Sequence, residues 1–218
     1  MKVGTDAVLL GSWVDPKNAN HILDIGTGTG LIALMLAQKS PAIIDAIDID
    51  ESACEQAKEN FRISPWFSRV NIFHLSLQEF SESVDKKYDL IVSNPPYFHH
   101  ASKPPEEARL NARHNDQLSF EELISGVKKI LKNDGRFCLI LPSKEGIEFM
   151  DLAQSSGLFC HDMMRIKTKS DKTEKRLMME FGFHFGLLLD REIIIQEEDC
   201  SYTEEYIELT KEYFLGLK

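Results

Sequence analysis

Runs of apolar residues alternate along the chain with stretches of helical periodicity, and this alternation predicts βαβ units and a parallel sheet. Strand-like runs fall at His21–Ile25, Ala42–Ile47, Arg69–Leu75, Tyr88–Ser93 and Arg136–Leu141. Helical patterns fill the gaps at Leu31–Gln38, Glu51–Phe61 and Ser119–Leu131, followed by one from about Lys144 to Ser156 that stops at Gly157. Asp50 or Ser52 is placed to cap the second helix, and Ser119 with Glu122 reads as a capping box for the third.

After Gly157 the rhythm changes. Leu158–Thr168 and Leu177–His184 are strand-like runs joined by a short basic stretch with no helical pattern, so they predict an antiparallel pair. A strand at Glu192–Gln196 and an amphipathic helix at Thr203–Leu215 close the chain. The expected fold is α/β and Rossmann-like: a mostly parallel seven-stranded sheet, a C-terminal antiparallel hairpin, and helices on both faces. No repeat, low-complexity tract or linker divides residues 1–218, which read as one domain.

The chain of 218 residues is 43% hydrophobic, enough for a full core. It contains no apolar run of about eighteen residues, so no membrane span is expected. The first residues lack the apolar region of a secretory signal. Cys54, Cys138, Cys160 and Cys200 are scattered without a CxxC pair. That fits reduced thiols in a cytoplasmic protein and argues against a disulfide framework or a structural zinc site. A net charge of −10 counts against nucleic acid as a partner. Its distribution tempers this, because Arg165, Lys167, Lys169, Lys172, Lys175 and Arg176 cluster against only Asp171 and Glu174. On charge alone, a small RNA contact and a solvated loop are about equally supported.

Gly26, Gly28 and Gly30 stand at the turn from the first strand into the first helix of the βαβ pattern, two residues after Asp24. Glycine allows the tight turn and brings backbone close to a ligand. A dinucleotide fingerprint would need a glycine at position 31, where Leu31 stands. The GxGxG spacing with Asp24 resembles motif I of class I methyltransferases. That resemblance implies S-adenosylmethionine as cofactor, with Asp24 near its methionine amino group and Gly26, Thr27, Gly28 and Gly30 along the adenosyl moiety. Asp48, ending the second strand, suits ribose hydroxyls in either cofactor class. Ser76 occupies the place where many relatives carry an aspartate against adenine. Either its hydroxyl substitutes, or Leu75 and Leu77 make the contact.

Asn94, Pro95, Pro96 and Tyr97 follow the fourth strand. Two prolines make the chain leave the sheet as a rigid elbow. The Asn94 side-chain oxygen and the Pro95 carbonyl could accept both hydrogens of a planar amine, favouring a pyramidal nitrogen in the transition state. Tyr97 could stack on the base. The segment resembles the (D/N/S)PP(Y/F) motif of amino-directed methyltransferases, which include adenine N6, guanine N2 and glutamine N5 enzymes.

The ends of the chain narrow the resemblance. The segment from Met1 through Gly4, Thr5, Asp6 and Leu10 to Trp13 is similar to the N-terminal signature of bacterial tRNA adenine N6 methyltransferases. These modify the adenosine beside the anticodon of a valine tRNA. Ala112 to Leu123 and Tyr202 to Leu215 match that family as well, so the match spans essentially the whole chain. It implies Thr5 and Asp6 as cofactor contacts, although either could simply cap an apolar helix. It implies Lys103, Arg113, Lys167, Lys169, Lys172 and Arg176 as phosphate contacts and tRNA as the partner; separately, a monomer is expected. A stretch that family members carry before residue 2 is missing here. His99 and His100 are not assigned to a metal. The alternatives left open are glutamine methylation of a release factor, guanine N2 methylation of ribosomal RNA, and a non-catalytic cofactor-binding adaptor. Release-factor enzymes carry an N-terminal helical domain that this sequence does not present.

Overall fold

The computed structural model describes residues 4–95 and 118–214. The strands are β1 (His21–Ile25), β2 (Ile43–Asp48), β3 (Val70–His74), β4 (Tyr88–Ser93), β5 (Leu131–Pro142), β6 (Phe159–Lys167), β7 (Arg176–Gly182) and β8 (Leu189–Ile194). The described helices are α1 (Thr5–Trp13), α2 (Leu31–Lys39), α3 (Glu51–Ile63), α4 (Leu77–Ser83), α5 (Phe120–Ile130), α6 (Ser143–Ser155) and α7 (Glu204–Thr210).

One sheet of eight strands runs in the order β3-β2-β1-β4-β5-β7-β6-β8. The pairs from β3 through β5 are parallel, and β7 is antiparallel to both β5 and β6, as the change of rhythm after Gly157 predicts. The expectation of seven strands is corrected to eight. The closing strand starts earlier than its apolar run suggests and pairs parallel to β6, from Asp162↔Leu189 to Lys167↔Ile194. Its first residues, Leu189 to Glu192, are exposed, so burial leaves little alternation there to read.

Strand alternation sorts the core onto the two faces. Ile22, Ile44, Ala46, Leu90, Val92 and Cys138 pack with α1, α2 and α3. Leu23, Ile25, Ile47, Ile91, Phe137 and Leu139 pack on the other face with residues of α4, α5 and α6. Local signals set the helix ends. Asp50 accepts from the Ser52 and Ala53 N–H groups at the start of α3, and Ser119 with Glu122 forms the capping box of α5. Gly157, at φ 79°, turns the chain after α6. At α1 the cap expectation fails: the N-cap is Gly4, and neither Thr5 nor Asp6 caps the helix. Helix α4 was not expected from the sequence.

Candidate active site

The strand order reverses between β1 and β4, and ligands bind in open α/β sheets at such a switch point, beyond the carboxyl ends of the strands. Both principal motifs emerge there. The glycine loop leaves β1, and Asn94-Pro95 leaves β4, whose Ser93 pairs with Ile25 and donates from Oγ to the Ile25 carbonyl at 2.9 Å. Asn94 is half-buried and Pro95 is buried. Tyr97, Lys103, Arg113, His99 and His100 lie outside the described residues.

The glycine loop is tied down from several sides. The N–H groups of Gly26 and Thr27 donate to the Ile47 carbonyl at 2.9 and 3.1 Å. Gly26, Gly28 and Gly30 adopt φ of 67°, 56° and 84°, the left-handed region that favours glycine. Gly30 has a second reason to be glycine, since a Cβ there would strike the Phe61 ring of α3. Asn60 of the same helix donates from Nδ2 to the Thr29 carbonyl at 2.9 Å. Asn60 and Phe61 therefore shape the loop, and neither is legible as a site residue in a helix that reads only as amphipathic.

Asp24 is fully buried beneath this loop. Its Oδ2 accepts from Thr27 Oγ1 at 2.6 Å and from the Ala33 N–H of α2 at 3.1 Å. Thr27 thus orients Asp24. The second oxygen, Oδ1, is buried without a hydrogen-bond partner among the described residues. A buried carboxylate oxygen left unpaired is costly. Burial, with a smaller contribution from the Asp48 charge, raises the Asp24 pKa to about 7 against the two lowering hydrogen bonds. A cationic amino group at Oδ1 would relieve both penalties, so the site fits the methionine end of S-adenosylmethionine.

At the end of β2, Asp48 Oδ2 accepts from the Gly28 N–H at 2.7 Å and Oδ1 from the Asp50 N–H at 3.0 Å. Each oxygen retains a further lone pair for a ribose hydroxyl. Ser76 is otherwise engaged. It is the N-cap of α4, accepting from the Glu79 N–H and donating from Oγ to Glu79 Oε2 at 2.7 Å in a capping box. Leu77 is buried against Gly126 of α5.

Arg165, Lys167, Lys169, Lys172 and Arg176 of the basic stretch have partners within the protein. Lys167 pairs with Glu192 at 2.6 Å and Lys172 with Asp171 at 2.8 Å. Lys169 donates to the Glu198 carbonyl at 3.0 Å and to Cys200 Sγ at 3.1 Å. Arg176 meets Asp6 at 2.9 Å, so two residues expected at different ligands touch each other. A separate cleft of about 560 Å³, lined in part by Arg136, Glu180, Asp162 and Arg191, opens on the α1 and α7 face nearer the amino ends of β5 and β6, away from this crevice.

A sheet with this order, a glycine loop over a buried carboxylate, and an Asn-Pro elbow leaving β4 beside it define an S-adenosylmethionine-dependent methyltransferase of class I. A family model described as "Methyltransferase small domain" matches residues 2–159. A tRNA1(Val) (adenine(37)-N6)-methyltransferase of Bacteroides fragilis is 43% identical over 218 residues, covering 100% of this chain and 92% of that relative. One of Trichodesmium erythraeum is 44% identical, covering 99% and 91%. The chain belongs to the methyltransferase small-domain family and, within it, to the family of these tRNA1(Val) (adenine(37)-N6)-methyltransferases. Among solved structures, a predicted O-methyltransferase from Agrobacterium tumefaciens superposes with a TM-score of 0.76 over 95% of this chain and 96% of that one. At 18% identity that likeness concerns the fold alone.

Proposed function

We propose that this enzyme methylates the exocyclic N6 of adenine-37 in a valine tRNA, the reaction named for its relatives. The observation that carries the reading is the emergence of Asn94-Pro95 from β4 beside the β1 glycine loop. S-adenosylmethionine, when bound, supplies an activated methyl group on a sulfonium. Asp24 Oδ1 would hold its ammonium, Asp48 its ribose hydroxyls, and the backbone of Gly26, Gly28 and Gly30 would line the adenosyl moiety.

The remaining chemistry belongs to the elbow. An adenine amino nitrogen is a poor nucleophile because its lone pair is delocalised into the ring. The Asn94 side-chain oxygen and the Pro95 carbonyl accept the two N–H bonds, which favours a pyramidal nitrogen with its lone pair directed at the methyl. The burial of Pro95 strengthens that contact by excluding water. No strong base is required before attack, since the nitrogen becomes acidic as it acquires positive charge. Tyr97 stacks on the base, and the base leaves the anticodon loop to reach the site.

On this reading the RNA runs along the carboxyl edge of the sheet. Lys103 and Arg113 remain phosphate candidates. Exposed Lys144 and Lys175, brought together where the Ser143 N–H donates to the Lys175 carbonyl at 3.2 Å, join them. Lys167, Lys169 and Lys172 could contribute only by exchanging their present partners. A tRNA substrate puts the enzyme in the cytoplasm, and no described helix is long and apolar enough to cross a membrane. We expect it to act as a monomer.

The test is transfer of labelled methyl to unmodified tRNA, ribosomal RNA and release factor, followed by nucleoside analysis. Label recovered as N6-methyladenosine at position 37 supports the reading, and label on glutamine or guanine overturns it. Asn94→Ala should abolish transfer while leaving S-adenosylhomocysteine affinity within about twofold, an effect confined to the transition state. Equal loss of both would remove the assigned role of Asn94.

A further inference from the structure

The contact between Asp6 and Arg176 spans 170 residues of chain and lies at the carboxyl edge of the parallel strands, the edge on which the crevice opens. Arg176 Nε donates to Asp6 Oδ2 at 2.9 Å, with the two side chains 29% and 20% exposed. Its place follows from sheet register. Ser93, the last residue of β4, lies opposite Leu139, whereas Arg176 lies opposite Pro142. The pair therefore stands beyond the row at which β4 ends, by about 10 Å along the strand, and two strand spacings, again about 10 Å, to the side. Asn94 and Pro95 emerge on the same edge.

The far end of α1 is held by other means. Lys39 Nζ donates to the carbonyls of Gly11, Ser12 and Val14 at 2.8, 2.5 and 2.9 Å, satisfying the carboxyl end of the helix. Gly11 lets Met35 of α2 close against it, where a Cβ would sit 2.6 Å from the sulfur. Among the described residues the first turn has no side-chain cap, because its N-cap is Gly4. Arg176 suits the task. Its Nη1 donates to the Lys175 carbonyl at 2.9 Å, which fixes the guanidinium plane and aims Nε at Asp6.

We propose that Arg176 is a positioning residue: through Asp6 it holds the first turn of α1, with Thr5, at the rim of the cofactor crevice. It serves the cofactor side of the reaction and not an RNA phosphate. The proposal rests on the reading of the crevice as an S-adenosylmethionine site.

The experiment compares Arg176→Ala, Arg176→Lys and the charge swap Asp6→Arg/Arg176→Asp with the unaltered enzyme. It measures calorimetric affinity for S-adenosylhomocysteine, KM for S-adenosylmethionine against kcat, tRNA affinity as a function of salt, and Tm. Arg176→Ala should weaken S-adenosylhomocysteine binding and raise the cofactor KM by about five- to tenfold, with kcat within about twofold. The dependence of tRNA affinity on salt should not change. The lysine variant and the charge swap should each recover part of the loss. Unaltered cofactor affinity with a shallower salt dependence would overturn the proposal and make Arg176 a phosphate contact. A lower Tm with unaltered cofactor affinity would overturn it in favour of a purely structural pair. Failure of the unaltered enzyme to bind S-adenosylhomocysteine would instead remove the cofactor reading beneath it.

Discussion

Burial beneath the glycine loop raises the pKa of Asp24 from an ordinary 3.8 to about 7, and this has opposite consequences for the free and the loaded protein. In the free protein the folded state keeps a proton that the unfolded chain releases above about pH 4. This group's contribution to stability therefore falls as pH rises from about 4 to about 7. Asp24→Asn should remove that part of the slope in urea unfolding followed against pH. Ligand binding runs the other way, because a cationic amino group requires the ionised carboxylate. S-adenosylhomocysteine affinity should fall roughly tenfold between pH 7.5 and 6, and a flat profile would separate Asp24 from the amino group. A second residue-scale prediction concerns Gly30, where positive φ and the Phe61 ring both oppose a side chain. Gly30→Ala should destabilise the protein by about 2–3 kcal/mol, read from the urea midpoint.

At the scale of elements, α4 shows where local pattern is too short to read. Its seven residues give fewer than two turns. The signal that was present, Ser76 with Glu79 three residues on, competed with a reading of Ser76 as a ligand contact. The two roles separate experimentally. Ser76→Ala should cost about 1 kcal/mol through the lost cap and leave cofactor affinity unchanged; a selective loss of affinity would restore the adenine contact. The longer elements were legible because each carried two agreeing signals. α5 joined a strong apolar stripe to the Ser119–Glu122 box, and the β6–β7 pair joined two apolar runs to the absence of any helical period between them. β8 lacked that agreement, and its start was misjudged.

Across the whole molecule the net charge is −10, and Lys167, Lys172 and Arg176 of the basic stretch are paired with carboxylates. Association with tRNA should consequently show a weak salt dependence. A log–log slope of about −2 to −3 would correspond to three or four phosphate contacts. A slope near −6 would mean that the internal pairs open to meet the RNA.

Taken by itself, the sequence determined what local pattern can carry. Alternating apolar residues set the strands, Gly26 to Gly30 and Asp24 marked the proposed cofactor loop, and Asn94 with Pro95 marked the proposed amine site, because each signal is complete within a few neighbouring residues. Only the tertiary structure decided what depends on partners far apart in the chain. It buried Asp24 with one oxygen unpaired, bent Phe61 beneath Gly30, gave Lys167 to Glu192, and brought Arg176 to Asp6. Charge and burial are properties of a neighbourhood, and a neighbourhood does not exist until the sheet has formed.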